Sequence, residues 1–154
     1  AQTGAQVRKL ASRGEKAGPV LDLVLEQKLR ATKPLASRSA NKRFEIALTG
    51  KAQSYEWGLD TRPNLVARQG DRLEVTMINQ SVMSHPMHLH GHHFQVIAVD
   101  AHRFSGAMRD TVHIPPRRAV TIALDAQNPG QWAFHCHHLY HMAAGMMTTL
   151  RYDG

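Results

Sequence analysis

One cysteine in 154 residues excludes an internal disulfide, so the fold has to rest on an ordinary core, for which 42% hydrophobic residues suffice. Long apolar runs are absent too. A spanning helix needs roughly 18 such residues, whereas the longest helical-looking stretch, Val20 to Leu29, is short and broken by Asp22, Glu26, Gln27 and Lys28. No membrane span is expected. Acidic residues are scarce, 12 against 19 Lys and Arg, and the net charge of +7 raises the possibility of a nucleic-acid partner. The distribution argues against it. Residues 1–45 hold ten Lys/Arg and four Asp/Glu, whereas residues 46–154 hold nine and eight, so the excess belongs to a leading segment. Nothing in that segment interleaves basic and aromatic residues as a platform for single strands would.

What the sequence has in abundance is histidine. There are 11, most of them in two windows, 85–93 and 135–141, the second of which contains Cys136. A lone thiol among imidazoles is a metal-site pattern, because both are ligands for soft and borderline transition metals.

The chain divides by texture. Residues 1–40 are rich in Ala, Ser, Gly, Lys and Arg, with Pro19 and Pro34 as breakers, and read as a linker or the tail of a preceding domain. Within them, Val20 to Leu29 fits a helix through Leu21, Val24 and Leu25 and a strand through Leu21, Leu23 and Leu25, so periodicity does not decide. From residue 41 the sequence becomes short alternating runs between turn residues: 44–48, 54–59, 72–79, 88–99, 110–114, 119–125, 131–135 and 147–152. Strands this short and this closely spaced predict an all-β Greek-key sandwich or barrel over residues 41–154.

In an extended strand alternate side chains share a face, so His88 and His90 point together, with His85 just ahead of that strand and free to face elsewhere. By the same rule His135 and His137 share one face while Cys136 takes the other. The second strand thus bridges two metal sites. Around Cys136 the available donors are those of a blue copper: two imidazoles and a thiolate in a plane, plus a weak axial thioether. His141 and Met146 follow on the loop, where Gly145 lets the chain turn back, and His85 completes the plane.

The runs His85-x-x-His88-x-His90-Gly91-His92-x-Phe94 and His135-Cys136-His137-x-x-x-His141-x-x-x-x-Met146 resemble the last cupredoxin domain of multicopper oxidases of the laccase and bacterial copper-resistance kind. Weaker agreement lies at Leu48-Thr49-Gly50, Trp57 and Asp110-Thr111-Val112. The resemblance implies a cupredoxin-like fold and copper as cofactor. It makes His85, Cys136, His141 and Met146 the type 1 ligands, His88 a type 2 ligand, and His90, His135 and His137 type 3 ligands. Cys136, His135 and His137 would carry electrons between the two sites. A small reductant (a phenol, an aromatic amine or cuprous ion) would be oxidised as dioxygen is reduced to water, in a periplasmic or secreted bacterial setting.

One feature of that family is missing, since no further pair of H-x-H motifs occurs outside the two windows. The expectation is therefore half of a trinuclear cluster, on the C-terminal piece of a longer oxidase or on a subunit that borrows ligands from a neighbour. A stand-alone blue-copper electron carrier is the alternative, though it would need none of His88, His90, His135 and His137. Copper-dependent nitrite reduction fits less well, because a single His beside the cysteine would be expected there. His92, His93, His102, His113 and His138 read as supporting or surface residues, Met83, Met87, Met142 and Met147 as core or rim fillers, Trp57 and Trp132 as sandwich core, and Asp110 as a turn or hydrogen-bonding residue.

Overall fold

The computed structural model describes residues 21–153, so the first twenty residues of the expected linker fall outside the description. A short helix α1 (Val24–Lys28) leads into β1 (Lys42–Lys51), β2 (Glu56–Arg62), β3 (Val66–Ala67), β4 (Arg72–Asn79) and β5 (His85–Leu89). Next come β6 (Phe94–Val99), β7 (His102–Arg103), β8 (Met108–Arg109), β9 (Thr111–Ile114), β10 (Ala119–Asp125) and β11 (Gln131–Cys136), then helix α2 (Leu139–Ala143) and β12 (Met147–Tyr152). The large sheet runs β2-β1-β4-β10-β6-β7, with β8 also on β6, and the small one runs β3-β12-β11-β5-β9. Only β1 with β4 and β3 with β12 pair in parallel among the described strands. The architecture is the all-β sandwich that the strand pattern predicts.

Period-two burial explains why the sheets face each other. Phe44, Ile46 and Leu48 of β1, Leu73, Val75 and Met77 of β4, and Val120, Ile122 and Leu124 of β10 all point inward from the large sheet. Met87, Leu89, Phe134, Cys136 and Leu150 meet them from the small sheet. The strands that carry the candidate ligands, β5 and β11, are neighbours there, with His88 opposite His135 and Met87 opposite Cys136.

The run 88–99, expected as one strand, is two strands in different sheets. The chain leaves the small sheet after Leu89, turns through His90 to His93, and enters the large sheet at Phe94. Gly91 makes the turn at φ +67, where a Cβ would also lie 2.4 Å from the Trp132 ring. His85 likewise stands within β5 as its first residue, paired with Ile114, rather than ahead of the strand.

For Val20 to Leu29 the described part is helical over α1, with Leu23 buried and Leu21, Val24 and Leu25 exposed. The stretch from there to β1 lies along the sandwich, held by Glu26 to Arg109, by the Ala31 N–H to the Gly106 carbonyl, and by the Leu35 N–H to Gln95 Oε1. Buried Arg72 donates to both oxygens of Asp125, at 2.7 and 3.1 Å, and to the Ala36 carbonyl, while Arg38 also reaches Asp125. The Arg72 guanidinium is the main reason the Asp125 carboxyl is held below its usual range. Asp125→Ala should therefore cost about 3 kcal/mol, because it strands a buried cation, and denaturant unfolding should show it as a fall in midpoint. A loss below about 1 kcal/mol, as for a surface pair, would refute that account.

Candidate metal centre

The strand geometry sorts the candidate ligands onto two faces of the small sheet. On the inner face, His85 from β5, Cys136 from the end of β11 and His141 from α2 converge, all three buried. His85 Nδ1 and His141 Nδ1 lie 3.2 Å apart, and Cys136 Sγ lies 3.7 and 3.9 Å from them. A triangle of this size is what one central ion spans with bonds of about 2.0 Å to nitrogen and about 2.3 Å to sulfur. Met146 is fully buried and bound into the same loop: its N–H donates to the His141 carbonyl and its own carbonyl accepts from the Cys136 N–H.

The electrostatics suit a metal as well. Burial lowers the His85 pKa to about 4, with the neighbouring His141, His138 and His113 adding to the effect, and burial lowers that of His141 too. Both imidazoles are then neutral, and so ligand-ready, at neutral pH. Burial pushes the Cys136 thiol up, partly opposed by the His138 backbone N–H. The thiol keeps its proton until a cation displaces it. The donor set of one thiolate and two neutral imidazoles fits copper.

The outer face carries the remaining four histidines. His88 lies beside His90, ring centroids 4.8 Å apart, and is 5.6 and 5.8 Å from His135 and His137. His90 Nε2 and His135 Nε2 are 2.9 Å apart. His88 donates through Nδ1 to the Asp110 carbonyl or Thr111 Oγ1, and His135 donates through Nδ1 to the Cys136 carbonyl, which leaves each Nε2 free for a metal. His135 is buried, His88 half-buried, and His90 and His137 are exposed. The four converge on an open face.

The sequence pattern does not single out Ser81 and marks Trp57 only as core, whereas His92 and Asp110 read from it as supporting or hydrogen-bonding residues. The Ser81 hydroxyl gives its one hydrogen to Asn79 Oδ1 or the Met83 carbonyl, so its oxygen accepts from His85 Nε2 at 2.7 Å and leaves the lone pair on Nδ1. Trp57 is buried, as expected, but packs on His141 rather than serving only the core. His92 supports the turn by bonding the His90 carbonyl and the Tyr152 hydroxyl. Asp110 is exposed and acts through its backbone carbonyl, which accepts from Leu89 N–H as well as His88. Met87 fills the core, whereas Met147 is exposed at the rim.

Fold and site together define a cupredoxin-like sandwich with a buried Cys-His-His metal triangle. Residues 28–153 match the multicopper oxidase family, and the chain belongs to that family, whose cofactor is copper. It is 40% identical over 112 residues to the multicopper oxidase MmcO of Mycobacterium tuberculosis, covering 70% of this chain and 22% of that protein. With copper resistance protein A of Escherichia coli the identity is 33% over 122 residues, covering 75% of this chain and 20% of the relative. Among solved structures, the laccase of Pediococcus acidilactici superimposes with a TM-score of 0.69 at 24% identity, over 80% of this chain and 30% of the laccase. The blue copper oxidase of Nitrosomonas europaea gives 0.65 at 23%, over 73% of this chain and 44% of that one. The chain spans about a fifth of the length of the curated relatives it matches. None of its described helices is long and apolar enough to cross a membrane.

Proposed function

We propose that this chain is the part of a copper oxidase in which single electrons enter at a type 1 copper and pass to a trinuclear copper cluster that reduces dioxygen to water, with another domain or chain completing the cluster. The observation that carries this is the back-to-back placement on β11, where Cys136 faces the buried triangle and the adjacent His135 and His137 face the open histidine cluster. His85, Cys136 and His141 would hold the type 1 copper with Met146 as axial donor; His88 would serve the type 2 position, and His90, His135 and His137 the type 3 pair. Copper supplies the one-electron couple at each site.

The protein's own part is orientation and wiring. Ser81 fixes His85, the Asp110 carbonyl fixes His88, and the Cys136 carbonyl fixes His135, each by the outer ring nitrogen. The Cys136 sulfur offers a covalent path of one or two residues to His135 and His137. Phenols, aromatic amines or cuprous ion are the reductants we propose, cuprous ion gaining support from the copper resistance relatives, and a periplasmic or secreted location goes with that role. The preceding domains of the same oxidase, or a neighbouring subunit, would supply the missing ligands. Copper counted per chain, alone and with the completing polypeptide, tests the reading. A rise from about one to several supports it, and a count that stays at one overturns it.

Met146 gives a separate test of the type 1 assignment. A thioether donates weakly to copper and favours its oxidised form, so Met146→Leu should raise the reduction potential while the metal stays bound. Voltammetry showing no shift, or a fall, would remove Met146 from the axial position.

A further inference from the structure

Among the metal-triangle imidazoles, His141 lacks what the other has. His85 is locked by Ser81 through its outer nitrogen, and on the open face His88 and His135 are locked by backbone carbonyls. Among the described residues no hydrogen bond fixes the outer nitrogen of His141, whose polar contacts run only inward, to His85 Nδ1 and Cys136 Sγ. What lies against the ring is aromatic. The Trp57 indole stacks on it with centroids 4.0 Å apart and planes at 24°, while Tyr55 and His138 meet it edge-on at 6.4 and 4.9 Å.

The indole is itself confined. A Cβ on Gly50 would fall 2.1 Å from Trp57 Cε3, so the ring occupies space that only a glycine in β1 leaves open. Gly50 and Trp57 face each other across the β1–β2 ladder, which fixes the backbone on both sides of the contact. The Trp57 Nε1 is buried without a hydrogen-bond partner among the described residues. Leaving it so is unfavourable, and the ring is retained in a place where its face, not its N–H, makes the specific contact.

We propose that Trp57 is the positioning residue for His141: wedged between the Gly50 backbone and the imidazole, its indole holds the ring in its ligating orientation by stacking, in place of the hydrogen bond that orients His85, His88 and His135. This rests on the copper reading above. Loss of the partners that orient metal-bound histidines costs 10- to 100-fold in metal affinity, and the stack should count similarly.

The test compares the full copper-loaded chain with Trp57→Phe, Trp57→Leu and Gly50→Ala, following copper affinity, the sulfur-to-copper charge-transfer band and the electron paramagnetic resonance hyperfine splitting. Trp57→Leu should weaken copper binding about tenfold or more and turn the narrow type 1 splitting toward that of an ordinary cupric site. Trp57→Phe keeps an aromatic face and should restore most of both. Gly50→Ala displaces the indole without removing it and should move the spectrum in the same direction as Trp57→Leu, so the prediction stands even if the leucine variant does not fold. A merely structural tryptophan would lower thermal stability in all three and leave the spectrum of the folded fraction unchanged, which would overturn the proposal. If the unmodified chain binds copper without the charge-transfer band, it is the type 1 reading that fails, and the Trp57 proposal falls with it.

Discussion

Cys136→Ser should abolish the intense visible colour of the copper-loaded chain while leaving it folded. The colour expected of this site arises from charge transfer between the cysteine sulfur and copper, and Cys136 is the chain's single source of thiolate. Its sulfur is one corner of the triangle, 3.7 and 3.9 Å from the two imidazole nitrogens, and the residue is fully buried. The substitution changes volume little, and the hydroxyl it introduces is buried without a partner at hydrogen-bond distance among the described residues, since the sulfur it replaces already lies 3.7 and 3.9 Å from the two nitrogens. The stability cost should stay near 1 to 2 kcal/mol, visible as a modest drop in thermal midpoint. The loss of colour, by contrast, should be complete at any copper concentration. A His137→Ala chain should keep its colour, because that imidazole stands on the other face of β11 among the open cluster. A copper-loaded Cys136→Ser protein that stayed blue would end the type 1 assignment.

The candidate ligands were legible because their spacing is local. His135, Cys136, His137 and His141 lie within one strand end and the turn that follows, and alternation alone puts the sulfur and the flanking imidazoles on opposite faces. Trp57 and Ser81 were legible only as residues, not as supports. Trp57 reaches His141 because α2 folds back against β2, and Ser81 reaches His85 because Asn79 holds the loop after β4. Neither fact leaves a periodic trace. The run 88–99 misled for a different reason: it holds no proline, its His90 to His93 break reads as part of the ligand strand, and Gly91 at positive φ is where the chain changes sheets. Two-residue strands such as β3, β7 and β8 are too short to carry any alternation at all. Val20 to Leu29 stayed ambiguous because a helix of five residues has little more than one turn over which a period can be counted.

Alone, this chain should consume oxygen negligibly with a phenolic reductant. The four histidines on the outer face converge, with His88 and His135 held by hydrogen bonds, but they are all on one side. His90 and His137 are exposed, His88 is half-buried, and nothing among the described residues covers them. Metal affinity depends on ligand number and geometry being met together, so a copper held by His88 alone, or a pair shared among His90, His135 and His137, lacks half its coordination. The buried triangle suffers no such deficit. One copper per chain should therefore bind tightly and take up an electron, with no completed cluster to receive it. Adding the polypeptide that carries two H-x-H pairs should bring several coppers per complex and restore oxygen uptake, and His88→Ala or His90→Ala should prevent that restoration while leaving the type 1 colour intact. The open imidazoles should also make the isolated chain prone to pairing with a second copy or to capturing stray metal, so the sample has to be held monomeric and its metal counted. Brisk oxygen consumption by such a monomer would show that four histidines suffice, and the inference from missing ligands would be wrong.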